Sequence, residues 1–577
     1  MPTSSLAMTT EKLDTRQWVL PDPANPDISS NDIPSVIKAI LDVRGINSIT
    51  DRQAYLNPKL NTLSDPFEIP NMLDAVDRVL CAIDKKESIV IYGDYDVDGV
   101  TSLTLLKKIL SAYGNEAMPV LPHRIEEGYG LSIKALTRCL EEFSPSLIIA
   151  VDCGTTSNEE ILWLNEKNVE TVILDHHEAS SLGLPNCCAL DNPKATRDLS
   201  ESSYDYLCSV GIVFKLAHAL LKHRPLEEFD LREFLDLVAV GTVSDLVPLT
   251  EENRALVKRG LVELGRTKNA GLAALIELAN IRPPYSAMDI GFRIGPRLNA
   301  AGRIDTAEKA LELLLCVDAT DATRMAEALE ERNRQRQDLE RRTTAEAFEM
   351  IDSGQFGTNH MGLVLGKKGW HPGVVGIVAS RVSKKIHRPV FIVAIDEHGI
   401  GKGSGRSIEG LSLIDVINSG RQFLISGGGH HMAAGISIHE NQIAKFHDHL
   451  SAYVSSNSDE DCLIPKLKLD AECSLTELHL DLLDHYIKLE PFGRDNPEPL
   501  LFSRGVTPTS EPRILKEKHI RMTLRQRESI CDAIYFNGTD YDLPKPPWDI
   551  AFTILRNDFR GRVSIQMNIK AIRSAIS

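Results

Sequence analysis

Four short apolar runs, at residues 88–92, 147–151, 170–174 and 237–243, are each followed by a polar cluster that contains Asp. Segments of helical length lie between them, among them 100–113 and 158–167. Read as strands alternating with helices, the runs predict a parallel sheet covered on both faces. Residues 321–351 carry many charges, no Gly and no Pro, and repeat apolar residues at helical spacing (Met325, Leu329, Leu339, Phe348). That pattern predicts one long exposed helix joining two domains. A second α/β pattern follows Ser353-Gly354, with strands expected near 361–365 and 390–395, and ends near 453. The Ser- and acid-rich stretch 455–461 reads as a linker. Beyond it, alternating runs at 521–524, 530–535, 550–555 and 563–569 suit a small five-stranded barrel. The expected organisation is α/β multidomain: an N-terminal extension with helical patterning at 33–43 (1–65), a first α/β domain (66–320), a connecting helix (321–352), a smaller α/β domain (353–455) and a C-terminal β-barrel (462–577).

Composition narrows the class. The chain has 577 residues, which suits three or four domains, and 42% hydrophobic with 25% charged residues is ordinary for a folded protein. Its apolar runs are too short for a spanning helix, and the first residues lack the basic start and apolar stretch of a signal peptide. A cytoplasmic protein without membrane partners is expected. Ten scattered cysteines with no CxxC spacing fit reduced thiols there. The net charge of −17 argues against a chain that coats nucleic acid over its whole surface, but charge is uneven. From Cys462 onward 17 basic residues meet 16 acidic ones, and within 502–527 seven basic residues face two acids. Such a stripe is either a solvated face or a nucleic-acid surface.

The acids after the apolar runs carry the chemistry. They are Asp94, Asp96 and Asp98 in IYGDYDVDG, Asp152 in VDCG, Asp175 with His176 and His177 in LDHHE, and Asp245 in VSDL. Ligands of open α/β sheets collect at the carboxyl ends of the strands. A single Asp there is ordinarily the N-cap of the next helix. Four such ends together would repel one another unless cations neutralise them. Mixed carboxylate and imidazole donors suit Mn²⁺ or Mg²⁺, and two such ions can clamp a phosphate and activate a water. An HH pair by itself is ordinarily structural; near a strand end one ring could bind metal while the other turns to substrate.

At DYDVDG, VDCG and DHH the chain resembles the DHH phosphoesterase superfamily, and within it the single-strand-specific DNA exonucleases. The likeness continues through YLNPKL, DPFEIPNMLDAVDRV, HRIEEGYGL, GFRIGPRLNAAGRID, GWHPGVVGIVASR, GKGSGRSIEG, GGGHHMAAG and EPFGRDNPEP. It implies a DHH catalytic domain at 66–320, a DHHA1 domain at 353–455 and an OB-fold at 462–577. By the same resemblance Asp96 and Asp152 would bind one divalent ion, and Asp98, Asp152, His176 and Asp245 the second. Asp152 would bridge, Asp94 would support, and His177 would face the scissile phosphate or assist proton transfer. Some relatives have His where this chain has Tyr92, which would leave the first ion's shell more open or filled by water.

Arg124, Arg297, Asn299, Ser404 and Arg406 would gather near the 5′ phosphate, since guanidinium forks pair with phosphate and glycines admit backbone N–H groups. His430 would face the nucleotide chain, although GGGHHMAAG also reads as a tight turn followed by helix entry. In the barrel, Lys516, Lys518, His519, Arg521, Phe536 and Arg556 are candidate contacts to single-stranded DNA. The implied activity is 5′-to-3′ hydrolysis of single-stranded DNA to 5′-mononucleotides, in recombination and repair. The resemblance also implies a monomer that works with a single-strand-binding protein and a helicase. The alternatives are a phosphoesterase for oligoribonucleotides or nucleotides, and a non-catalytic replication scaffold.

Overall fold

The computed structural model describes residues 14, 16–22, 33–122, 127–128, 130–180, 183–196, 204–304, 306–354, 361–559 and 561–575. Five parallel strands form the first sheet, in the order Met118–Val120, Ile89–Gly93, Leu147–Val151, Glu170–Leu174, Ala189–Asp191. Alternate residues of the inner strands enter two different cores. Ile89, Ile91, Ile149 and Val151 face the helices Val97–Ala112, Ser209–His223 and Leu235–Ser244, while Val90, Tyr92, Ile148 and Ala150 pack with the helices Ile133–Phe143 and Asn158–Glu166. Burial on both faces is why these strands read as unbroken apolar runs.

One expected strand is a helix. The run 237–243 lies within the helix Leu235–Ser244, and its residues are buried all round. An apolar run that short fits a buried helix as well as a buried strand. Gly241 permits the tight packing: a Cβ there would lie 2.4 Å from Thr101 Oγ1. Asp245 therefore reaches its neighbours from a helix end rather than a strand end.

The helix Ala319–Asp352 is 34 residues long, about 50 Å at 1.5 Å per residue. Ala322, Ala326 and Leu329 belong to the core of the first domain and Ala347 to that of the second, so the helix is embedded at both ends. The second sheet runs Ser426–Gly429, Ala433–His439, Ile400–Arg406, Val390–Ile395, Leu363–Lys368, with only the last pair parallel. GGGHHMAAG thus turns between two antiparallel strands and enters a strand, not a helix. The expected linker 455–461 is partly helical, since the helix Ile443–Asn457 runs into it.

At the C-terminus the strands Leu501–Pro508, Trp548–Phe559, Arg562–Ser574, Ser529–Tyr535 and His519–Gln526 pair in that order, and the last pairs back to the first. This closes a five-stranded barrel, to which Ala471–Glu472 and Arg513–Leu515 are added. The described residues before 65 do not form a free extension. Val36, Ile37, Ile40, Leu41 and Leu56 share the barrel's core, and Gln17–Val19 pairs in parallel with Lys466–Lys468.

Candidate metal centre and phosphate site

Sheet register builds the carboxylate edge. Gly93, Val151 and Leu174 lie side by side in one row, so the residues that follow, Asp94, Asp152 and Asp175, leave the sheet at one level. Asp96 caps the helix Val97–Ala112 by accepting from the amides of Asp98 and Gly99, at 2.9 and 3.2 Å. Asp98 is buried and accepts from the amides of Ser209 (2.7 Å) and Val210 (2.9 Å) at the start of the helix Ser209–His223. Asp152 takes a left-handed φ of 61°, unusual for a residue with a side chain, and Ser209 Oγ donates to it at 3.1 Å.

His176 stands at the centre. Its Nε2 lies 3.4 Å from Asp152, 3.5 Å from Asp245 and 3.8 Å from Asp98. Both ring nitrogens are buried without a hydrogen-bond partner among the described residues. Three groups each hold ligand atoms within 4.8 Å of one another: Asp152 with His176 and His177; Asp98 with His176 and Asp245; Asp94 with Asp96 and Asp152. Two of these groups meet at Asp152 and two at His176. Taken together the groups offer five carboxylates (Asp94, Asp96, Asp98, Asp152 and Asp245) and two imidazoles, and such mixed, oxygen-rich donors fit divalent Mn or Mg.

The electrostatics agree. Burial, then repulsion from Asp96, pushes Asp98 up to about 7. Burial, then Asp98 and Asp96, pushes Asp245 up to about 9, and the same causes raise Asp152 well above the carboxylate range. Burial holds His176 down at about 3, so its ring is a neutral donor, the form a metal requires. For His177 burial is outweighed by Asp175, whose carboxylate meets Nδ1 at 2.7 Å, and the ring rises to about 9. Burial would raise Asp175 too, but His177 overcomes it and holds that carboxyl below its usual range. The two histidines, 4.6 Å apart by ring centroid and tilted by 53°, therefore differ in charge. They lie beyond the strand Glu170–Leu174, so the turn separates them rather than strand alternation.

Tyr92 is not part of this edge. It is buried in the opposite core, where its hydroxyl donates to the Gly130 carbonyl at 3.1 Å. Sequence reasoning missed the support given by Ser209 and Val210, and gave Asp175 no role of its own. Asp175 was visible in LDHHE, whereas nothing in the sequence marks Ser209.

Ser404 and Arg406 share one face of the strand Ile400–Arg406, and Arg406 Nη1 donates to Ser404 Oγ at 3.1 Å. They lie against the start of the helix Val375–Ile386, where a Cβ on Gly376 would be 3.2 Å from Ser404 Oγ and 3.5 Å from Arg406 Nη2. A helix N-terminus beside a guanidinium and a hydroxyl suits an anion. GWHPGVVG supplies that helix start, a role not assigned from sequence. The same region reaches back to the carboxylates. Arg303 Nη1 donates to Gly373 O at 3.3 Å, and a Cβ on Gly302 would be 2.9 Å from Tyr95 O, between Asp94 and Asp96.

Other candidates are more scattered. Arg297 is committed to Glu330 (2.7 Å) and to Arg293 O (2.6 Å), so it does not join Arg406 in this structure. Asn299 is half-buried on the helix Gly295–Ile304. His430 is exposed at the hairpin turn, its amide donating to Ala433 O at 2.8 Å. Arg124 lies outside the described residues. On the barrel, Lys516, Lys518, Arg521 and Arg556 are exposed, and Phe536, 47% exposed, meets His519 edge-on at 5.2 Å.

The parallel sheet with its carboxylate edge, joined by a long helix to a second α/β domain, defines a phosphoesterase of the DHH class. Family models match "DHH family, N-terminal domain" at 88–242, "DHHA1 domain" at 358–456 and "RecJ OB domain" at 469–571. The chain is 35% identical to the single-stranded-DNA-specific exonuclease RecJ of Bacillus subtilis, over 93% of this chain and 68% of that protein. It is 33% identical to RecJ of Haemophilus influenzae, over 90% and 93%. The crystal structure of Thermus thermophilus RecJ in complex with Mn²⁺ superposes with a TM-score of 0.83 at 28% identity, covering 97% of this chain and 80% of that one. The Thermus protein has also been crystallised with Mg²⁺. This chain belongs to the RecJ family.

Proposed function

We propose that the chain is a metal-dependent exonuclease that degrades single-stranded DNA from the 5′ end to 5′-mononucleotides, acting in recombination and repair. The observation that carries the reading is the group of Asp98, Asp152 and Asp245 around the neutral ring of His176, whose nitrogens have no hydrogen-bond partner among the described residues. Asp96 and Asp152, supported by Asp94, would hold one divalent ion; Asp98, Asp152, His176 and Asp245 would hold the other. Bound there, the ions supply Lewis acidity and a water acidic enough to attack at neutral pH. Asp152 serves both sets, and Ser209 fixes its carboxylate. With Asp175 held against its Nδ1, the charged His177 ring would contact the scissile phosphate or assist proton transfer there.

Arg406, Ser404 and the amides at the start of Val375–Ile386 would take the terminal phosphate and so set polarity by charge rather than by base. Arg124, Arg297, Asn299 and His430 would line the strand's path, and Lys518, Arg521 and Phe536 would bind it farther along. We extend the reading to a cytoplasmic monomer that works beside a single-strand-binding protein and a helicase. Among the described residues no helix is long and apolar enough to cross a membrane. The test is digestion of 5′-phosphorylated single strands, duplexes and RNA with Mn²⁺ or Mg²⁺. Rapid release of mononucleotides from the DNA single strand alone is expected; equal rates on duplex would reject the strand specificity.

A further inference from the structure

Asp245 stands at the C-terminal end of the helix Leu235–Ser244, so its position depends on the turn that follows it. That turn begins with Leu246 in a left-handed conformation (φ 61°) and 66% exposed. It is held from outside the catalytic domain. The Leu249 amide donates to the carbonyl of Arg494 at 2.9 Å, and Arg494 Nη1 donates to the carbonyl of Leu246 at 3.3 Å. Gly493 packs so closely that a Cβ on it would lie 2.6 Å from Leu249 Cδ1.

The loop that makes these contacts, within EPFGRDNPEP, is itself braced. Gly493 and Asn496 exchange both backbone hydrogen bonds, at 2.9 and 3.3 Å, around Asp495 with its left-handed φ of 56°. Asn496 is 1% exposed and uses its whole side-chain capacity. Its amide donates to Leu489 O (3.1 Å) and Pro491 O (2.6 Å), and its Oδ1 accepts from Tyr55 Oη (2.5 Å) and from Arg44. Arg254, on the helix just after the turn, donates to Tyr55 O and Lys488 O, both at 2.9 Å. The N-terminal segment, the catalytic domain and the barrel's approach loop thus form one continuous hydrogen-bonded frame beside Asp245.

We propose that this loop is a positioning element of the metal centre: Arg494 fixes the turn at 246–249 and thereby keeps Asp245 in reach of the ion it shares with His176. The C-terminal domain then sets metal affinity as well as holding DNA. The inference rests on Asp245 being a metal ligand, as proposed above.

The sign of the effect separates positioning from charge. Arg494 is a cation near a cation site, so if it acted only through its field, removing it would tighten Mn²⁺ binding. Positioning demands the opposite. Calorimetric titration of the full chain with MnCl₂ should show Arg494→Ala binding the ion about tenfold more weakly, the low end for groups that orient a ligand. Arg494→Lys, which can still reach a carbonyl, should recover part of the loss. Gly493→Ala, whose methyl presses on Leu249, should weaken binding in the same direction. Hydrogen exchange at the Leu249 amide should quicken in Arg494→Ala, and kcat at low Mn²⁺ should fall while KM for a tetranucleotide stays constant. Asp245→Ala is the control. If it leaves Mn²⁺ binding unchanged, the ligand assignment itself is wrong. If it loses an ion while Arg494→Ala binds normally or more tightly, or changes only KM, the positioning role is overturned and the metal reading stands.

Discussion

Stripped of metal, the carboxylate cluster should make the catalytic domain less stable as pH rises. Burial and the neighbouring acids raise Asp98 from 3.8 to about 7. A folded-state value above the unfolded one means that the native state holds the extra proton between those two pH values. Stability is then full below about pH 4 and is lost as pH climbs through 7, with Asp245 extending the loss towards 9. At about 1.4 kcal/mol for each pH unit of difference, a shift of this size is on the order of 4 kcal/mol by pH 8, shared between Asp98 and the acids that repel it. That is a large part of the 5–15 kcal/mol typical of a domain. Mn²⁺ at a hundred times its dissociation constant should restore about 2.7 kcal/mol. Hydrogen exchange of the strand Leu147–Val151, at the centre of the sheet, reads the domain's stability directly. EDTA-treated protein should exchange faster at pH 8 than at pH 5 after correction for intrinsic rates, and Mn²⁺ should reverse the change. Asp245→Asn removes the cost of keeping that carboxyl protonated in the folded state at pH 8, so without metal it should gain at least about 1.4 kcal/mol, and it should gain less from Mn²⁺. A flat pH response in the metal-free protein, or an Asp245→Asn variant that behaves as wild type, would refute the repulsion on which the metal assignment depends.

Other outcomes follow from single contacts. Arg406→Ala should raise the half-saturating concentration of 5′-phosphorylated strands roughly ten- to 150-fold, a cost of about 1.5–3 kcal/mol, and that of 5′-hydroxyl strands much less. Equal losses in steady-state kinetics would move the terminal-phosphate site elsewhere. Glu330→Gln should release Arg297 and lower KM for phosphorylated strands by up to about fivefold, the worth of a partly exposed ion pair; an unchanged KM would leave Arg297 a structural residue. Tyr92→Phe should cost about 1–3 kcal/mol in denaturant unfolding, because the Gly130 carbonyl loses its partner, while the Mn²⁺ dependence of hydrolysis stays the same.

Much of the catalytic edge could be read from the chain because a buried parallel strand is an apolar run and its end is marked where polarity begins. Asp94, Asp152 and Asp175 are legible for that reason, and the aligned row Gly93, Val151, Leu174 explains why they meet. Asp245 follows a seven-residue run, 237–243, that fits a buried helix as well as a strand, and in the fold that run lies within the helix Leu235–Ser244. What stayed hidden depends on partners distant in sequence. Ser209 becomes a support only because a helix start docks on Asp98 and Asp152. The Ser35–Val43 helix is amphipathic, but its apolar side is matched by barrel residues more than 400 positions away. Arg297 looked free for phosphate because Glu330 lies on another helix, and a guanidinium accepts either anion. EPFGRDNPEP carried a resemblance but no chemistry until Asn496 and Arg494 had partners.

The most direct test is single-turnover digestion of a 5′-phosphorylated, 5′-end-labelled DNA single strand with Mn²⁺, by wild type and by Asp152→Ala. Wild type should convert the label straight to a 5′-mononucleotide while the remaining strand shortens in steps, and a matched blunt duplex should persist. Asp152→Ala should stay folded, lose Mn²⁺ binding and release less than a hundredth as much label. Endonucleolytic fragments, label retained on long products, or more than a tenth of wild-type rate in Asp152→Ala would contradict a 5′ exonuclease built on a shared carboxylate.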